Sequence, residues 1–149
     1  MNWRHYHSQS ERHASSAEVA AKERDFDLAK QYYLLAAEQE ELALSAIDQS
    51  ETRAIGIIAV SAAALWYKAG EYGRAKDLAL HWLNTGSLPA FAVDQSQESL
   101  SEIDRIEKLL EAVEEWQASV PLSSSDRDML VKAVEEWRAS AGKATLSYQ

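Results

Sequence analysis

Ala21-Lys22-Glu23-Arg24-Asp25-Phe26-Asp27-Leu28-Ala29-Lys30-Gln31-Tyr32-Tyr33-Leu34-Leu35-Ala36 decides the fold, because its pattern returns later in the chain. The second occurrence is Trp66-Tyr67-Lys68-Ala69-Gly70-Glu71-Tyr72-Gly73-Arg74-Ala75-Lys76-Asp77-Leu78-Ala79-Leu80-His81-Trp82. In each, an aromatic residue (Phe26, Tyr72) stands three positions before a small alanine (Ala29, Ala75). Small residues at the start of a second helix let two helices approach closely, and the aromatic fills the space beside the turn. Each stretch therefore reads as the turn of a helical hairpin.

Working outward, the apolar residues recur at helical spacing. Ser8 with Glu11 forms a capping-box pattern and predicts a first helix over about 9–24. Asp25-Phe26-Asp27 is read as the turn that follows it. The second helix carries Ala29, Tyr33, Ala36, Ala43 and Ile47 on one stripe and is expected to reach Gln49. Asp48 and Ser50 are candidate caps for a third helix over about 51–69, which Gly70 closes. A fourth, over about 72–84, is stopped by Gly86 and Pro89. Ser87 to Val93 is an apolar connector that should lie on the core. Asp94 with Gln97 opens a fifth helix with the stripe Leu100, Ile103, Ile106, Leu110, Val113 and Trp116. Val120-Pro121-Leu122-Ser123-Ser124-Ser125 breaks it, and Ser125 with Asp128 caps a sixth that carries Met129, Leu130, Ala133, Val134 and Trp137. No segment alternates with period two, so no strand is predicted. The expectation is one all-α domain over 1–149 of about six helices: two pairs within 8–88 and a C-terminal hairpin over 94–149 packed on them.

At Arg24, Asp25, Phe26, Ala29, Tyr33 and Ala36, and again at Gly70, Glu71, Tyr72, Ala75, Ala79 and Trp82, the chain resembles the tetratricopeptide-repeat (TPR) family. Ala29 and Ala75 lie 46 positions apart, against the family's unit of about 34 residues. The glycine usual in each first helix is Ala17 and Ala63 here, and the closing proline is missing from the first copy. The resemblance is thus to irregular, TPR-like proteins of the kind found in bacteria, and covers about Ser8 to Leu88. It implies antiparallel helical hairpins in a right-handed, solenoid-like stack, with the first helix of each pair lining a concave groove. Carried over, the groove positions are Glu11, Ala14, Glu18, Ala21 and Lys22 in one copy and Ile57, Val60, Ala64, Tyr67 and Lys68 in the other. Where some family members clamp a peptide carboxylate, this chain has Ala14, Glu18, Val60 and Ala64, so no such clamp is expected. The apolar groove of the second copy is either open or filled by the fifth helix, since an apolar stripe must be covered by something.

Composition narrows the function. The chain of 149 residues has no cysteine, which excludes disulfides, Cys-ligated metals and a cysteine nucleophile. Its net charge of −9 repels a phosphate backbone, so nucleic acid is not an expected partner. The longest uncharged apolar run, Ala54 to Tyr67, has 14 residues, short of the ~20 that span a bilayer. The start of the chain lacks the apolar segment of a signal peptide, so a cytoplasmic protein is expected. Residues 1–93 carry nine basic and twelve acidic groups, whereas residues 94–149 carry six and twelve, so the acidity is concentrated toward the C-terminus.

Catalytic constellations are absent from the pattern. No Gly-x-Gly-x-x-Gly, Walker or Gly-x-Ser-x-Gly motif occurs, and there is no Glu-x-x-His of the di-iron type. His5, His7 and His13 near the start read as a frayed polar terminus and not as metal ligands. Asp77 and His81, four apart on one helix face, read as a pair that stabilises the helix. Glu40-Glu41, Glu114-Glu115 and Glu135-Glu136 read as solvated faces. Arg53, early in the apolar third helix, is opposed by the helix dipole and reads either as a solvated charge or as an anchor for an acidic group. A second repeat, Ala112-Val113-Glu114-Glu115-Trp116-Gln117-Ala118-Ser119, recurs as Ala133-Val134-Glu135-Glu136-Trp137-Arg138-Ala139-Ser140. It is a duplicated helix whose two copies pack as a hairpin, with Trp116 and Trp137 as core residues at helical spacing, or a recognition element displayed twice, or a self-association surface through those tryptophans.

These readings lead to a non-enzymatic protein–protein interaction module, without metal or cofactor, that binds a protein or peptide through the concave face or the C-terminal hairpin. Its candidate binding residues are Lys22, Arg53, Ile57, Val60, Ala64, Tyr67 and Lys68. The alternatives are a helical protein that binds a metal or small ligand and a structural homo-oligomer such as a homodimer.

Overall fold

The protein is all-α. Its structure, a computed structural model, describes residues 2–119 and 123–146. Among them are six helices: α1 (Trp3–Lys22), α2 (Phe26–Ala46), α3 (Thr52–Lys68), α4 (Tyr72–Thr85), α5 (Ala90–Ser119) and α6 (Ser124–Leu146), and no strand. The helix break expected at Val120-Pro121-Leu122 lies outside the described residues. Among the described residues no helix is long and apolar enough to cross a membrane.

The two turns that decide the fold share one backbone geometry. After α1, the Arg24 amide donates to the Ala21 carbonyl and the Asp25 amide to the Ala20 carbonyl. After α3, the Gly70 amide donates to Tyr67 and the Glu71 amide to Trp66, at the same offsets. Both are Schellman endings, which satisfy carbonyls that the helix leaves free. Each needs one residue in the left-handed conformation: Gly70 has φ +80°, and Arg24 takes the same role with φ +62°. The aromatic that follows begins the next helix in both cases, so Phe26 and Tyr72 belong to α2 and α4 and not to the turn.

Short turns make successive helices antiparallel. The contact between α1 and α2 is the most extensive, and its core is small: Ala17, Ala20, Ala29, Ala36 and Ala37 are buried. Alanine on both sides lets the backbones approach. Helix α3 occupies the centre, with 11 residues buried, from Ile55 to Tyr67. It packs on α2, on α4 and on α5. Helix α5 runs parallel to α3. A Cβ placed on Gly56 would lie 2.7 Å from Pro89 Cγ and 3.2 Å from Ala92 Cβ, while Ile103 and Ile106 join the cluster around Ala64 to Tyr67. Gly56 is therefore the residue that lets the start of α5 lie against α3.

Several boundaries differ from the sequence reading. Helix α1 starts at Trp3 with Asn2 as its cap, whose side chain accepts from the Arg4 amide at 3.0 Å. The Ser8–Glu11 pattern thus lies inside the helix. Helix α2 ends at Ala46, and Asp48 turns its carboxylate to the Ser50 amide and hydroxyl, at 2.8 and 2.7 Å, instead of capping α3. Those hydrogen bonds hold the Asp48 carboxyl below its ordinary pKa. Helix α5 starts at Ala90, directly after Pro89, so the second half of the expected connector is helical. Proline suits that place because its missing amide lies outside the helical ladder. Ser123, not Ser125, caps α6, accepting from the Asp126 amide at 3.2 Å.

Candidate interaction cleft

The groove positions divide into a covered and an open set. Val60, Ala64 and Tyr67 are buried, packed in the two core clusters that also hold Ala92, Ile103 and Ile106 of α5. The apolar stripe of the second copy is therefore filled by α5 along these positions, which removes Val60, Ala64 and Tyr67 from the set of exposed contacts. Lys68 is half-buried, and its ammonium lies 5.9 Å from the centre of the Tyr33 ring. Lys22 is exposed in the last turn of α1. Ile57 and Arg53 stay uncovered, Ile57 at 44% exposure, large for an isoleucine on the central helix.

Those two residues share a cleft with the start of α1. It has a volume of about 580 Å³ and is lined by Trp3, Arg4 and His7 from α1, by residues 50–52, and by Arg53, Ile57 and Ile58 from α3. Arg4 stacks on the Trp3 ring at 4.6 Å. Among the described residues, neither Arg4 nor Arg53 forms an ion pair. Both stand in the first turn of their helices, where no acidic residue is found and the helix dipole already places positive charge. The N-cap of α3, Glu51, makes no side-chain cap hydrogen bond. Glu51 also lines the cleft, so two arginines face one carboxylate there, on a chain of charge −9.

Beneath the cleft lies a polar cluster that the sequence reading missed. Glu40 is 1% exposed, contrary to the solvated face expected of Glu40-Glu41. Its carboxylate accepts from Ser61 Oγ at 2.5 Å and pairs with His7 Nδ1 at 2.8 Å, while His7 Nε2 lies 3.2 Å from Glu11. Burial pushes the Glu40 pKa up, and the hydrogen bonds from Ser61 and His7 oppose that rise. One carboxylate therefore ties α2 to both α1 and α3 and orients His7 at the cleft floor. His7 belongs to a helix and not to a frayed end. The period of α2 was the available signal: Glu40 falls four residues after the buried Ala36 and three before the buried Ala43. No group of three potential metal ligands converges among the described residues.

Further depressions border α6. A cavity of about 110 Å³ at the turn end is lined by Phe26, Tyr33, Tyr67, Lys68, Tyr72 and Glu135, among others. The Tyr33 hydroxyl is buried without a hydrogen-bond partner among the described residues, and its pKa is pushed up to about 12 by burial and by the nearby Glu18 charge. Beside it, Arg24 pairs with Glu136 at 3.0 Å, so α6 is fastened to the first turn. The C-terminal hairpin is less closed than expected. Among the described residues, helices α5 and α6 meet around an apolar slot of about 230 Å³ lined by Leu109, Leu110, Val113, Ala133, Val134 and Trp137. Trp116 and Trp137 are 49% and 42% exposed, so neither is the core residue that helical spacing favoured.

Comparison with known protein families, with curated proteins and with solved structures finds no match.

Proposed function

We propose that this chain is a non-enzymatic protein-interaction module of TPR-like build, in which α1 and α3 are the first helices of two pairs and present the concave face. One observation carries the reading. Where α5 leaves that face uncovered, the first turns of α1 and α3 frame a cleft that exposes Ile57 beside Trp3 and two arginines without an ion pair among the described residues. An exposed isoleucine next to an aromatic ring and anchoring charges is the composition of a contact site, where aromatic and arginine residues are enriched. Chemistry on a bound substrate has less support, because the buried Glu40 is sealed beneath His7 and Ser61.

Affinity capture on the full chain tests the reading. Wild type should retain a partner that the Ile57→Asp variant loses, with both proteins equally folded by circular dichroism. Identical capture by the two proteins would refute it. Exposed Trp116 and Trp137 support a second reading, self-association through α5 and α6. Sedimentation equilibrium separates the two, since a homodimer would be lost in Trp116→Ala and kept in Ile57→Asp.

A further inference from the structure

The cleft between α1 and α3 has a charge that the rest of the molecule does not explain. Arg4 and Arg53 each occupy a first helical turn, where a positive side chain opposes the dipole. Such a position is disfavoured for a cation. Neither guanidinium recovers this through an ion pair among the described residues, although the chain has 24 acidic groups. His7, the third cationic-type side chain at the cleft, is held by Glu40 and Glu11, so those two carboxylates are already engaged. Two arginines from separate helices, neither ion-paired among the described residues, therefore face one space that holds a single other full charge, Glu51, with Trp3 and Ile57 beside them. Planar guanidinium groups match the fork of a carboxylate.

We propose that this cleft binds a peptide segment that sets a carboxylate side chain next to an apolar one. Arg4 and Arg53 pair with the carboxylate, and Ile57 with the Trp3 ring seats the apolar residue. The assignment rests on the interaction-module reading and adds the partner's chemistry to it. It differs from a clamp on a chain terminus, because the positions that would form one are Ala14, Glu18, Val60 and Ala64. Charge complementarity favours this occupant. A basic segment would meet two arginines, and a wholly apolar one would leave both unpaired. Helix dipoles at the two N-termini add to the attraction.

The test is selection from a displayed library of random dodecapeptides on the full chain, followed by fluorescence anisotropy on the peptides recovered. The expected result is enrichment of Asp or Glu adjacent to Leu, Ile, Val or Phe. Replacing that acid by its amide should weaken binding about tenfold, as should Arg53→Glu or Arg4→Glu, with Arg53→Lys retaining part of the affinity. Both arginines are exposed, so folding is preserved in these variants and circular dichroism verifies it. Affinity should fall between 50 and 500 mM salt. Recovered peptides without acidic enrichment, no recovered peptide, or binding unchanged by Arg53→Glu overturns the proposal. A phosphoserine version that binds more tightly than the carboxylate also overturns it. If Ile57→Asp recovers the same peptides as wild type, the cleft is not the site and the interaction-module reading falls with it. If Ile57→Asp loses them while both arginine variants keep them, only the carboxylate assignment falls.

Discussion

The two helix pairs carry the same local signals and end in different surroundings. In α1 only Ser10, Ala17 and Ala20 are buried, whereas α3 buries 11 residues. At the offset of 46 positions, buried Ser10 corresponds to Gly56, and exposed Glu18 to buried Ala64. The turns after both helices are Schellman endings of equal hydrogen-bond pattern. What distinguishes the pairs is the cover: α5 lies along α3, while α1 stands at the edge of the molecule. Local pattern sets the hairpin, and the next helix decides whether its face is core or surface.

Gly56 gives the sharpest way to break the comparison. A side chain there would drive into the rigid Pro89 ring and Ala92. Gly56→Leu should lower the unfolding free energy by about 3 kcal/mol and release the start of α5, read by urea denaturation and by hydrogen exchange at Ala92. An equal loss from Ser10→Leu would mean that α1 is as tightly covered as α3.

The left-handed residue comes next. Gly70→Arg places a side chain at φ +80° and should cost about 1 kcal/mol, while Arg24→Gly should return a similar amount. The second gain is reduced by loss of the Arg24–Glu136 pair and of the Arg24 guanidinium 5.8 Å from the Phe26 ring. Thermal melts of the two single variants and of the exchange measure this. A net loss in Arg24→Gly would show that fastening α6 outweighs the strain.

Glu40 tests the polar link between the pairs. Its pKa is raised in the folded protein, so the folded state holds this proton more tightly than the unfolded chain does. That contribution favours folding below the ordinary carboxyl range, near 4.5, and is lost as pH rises through the raised folded value. Glu40→Gln keeps the shape and removes the titration. The difference in stability between wild type and Glu40→Gln should therefore move in favour of the variant as pH rises across that window. A difference that stays flat with pH would mean that His7 and Ser61 fully offset burial.

Much of the fold was legible because it is local. The paired turns and the left-handed Gly70 follow from residue types within a few positions, whereas the cap at Asp25 and the left-handed Arg24 emerge only in the structure. The start of α1 at Trp3 was missed because Asn2 and the Ser8–Glu11 pattern are both valid caps in isolation, and only the pairing of His7 with Glu40 fixes the longer helix. The candidate site was legible at Arg53 and Ile57 and illegible at Arg4 and Trp3, whose role depends on where α1 lies beside α3. Burial of Val60, Ala64 and Tyr67 depends likewise on α5, whose placement is a long-range fact.

The smallest effect concerns the N-caps that follow the two turns. Asp25 accepts from the Leu28 amide at 3.2 Å, whereas Glu71, one methylene longer, makes no cap hydrogen bond. Asp is a strong N-cap because its carboxylate reaches the amides of the first turn without the extra carbon. Asp25→Ala should cost about 1 kcal/mol, and Glu71→Asp should stabilise by roughly half of that, since the exposed end of α4 is already solvated. The pair is best read as a reciprocal exchange, with Asp25→Glu and Glu71→Asp compared by chemical denaturation. If the first pair loses what the second gains, the turns are interchangeable units and the difference between the pairs lies wholly in α5. If Glu71→Asp gives nothing, the backbone is not the cause, since Glu71 at φ −91° and ψ 69° nearly matches the capping Asp25 at φ −90° and ψ 79°, and the second turn is shaped by its neighbours and not by its own sequence.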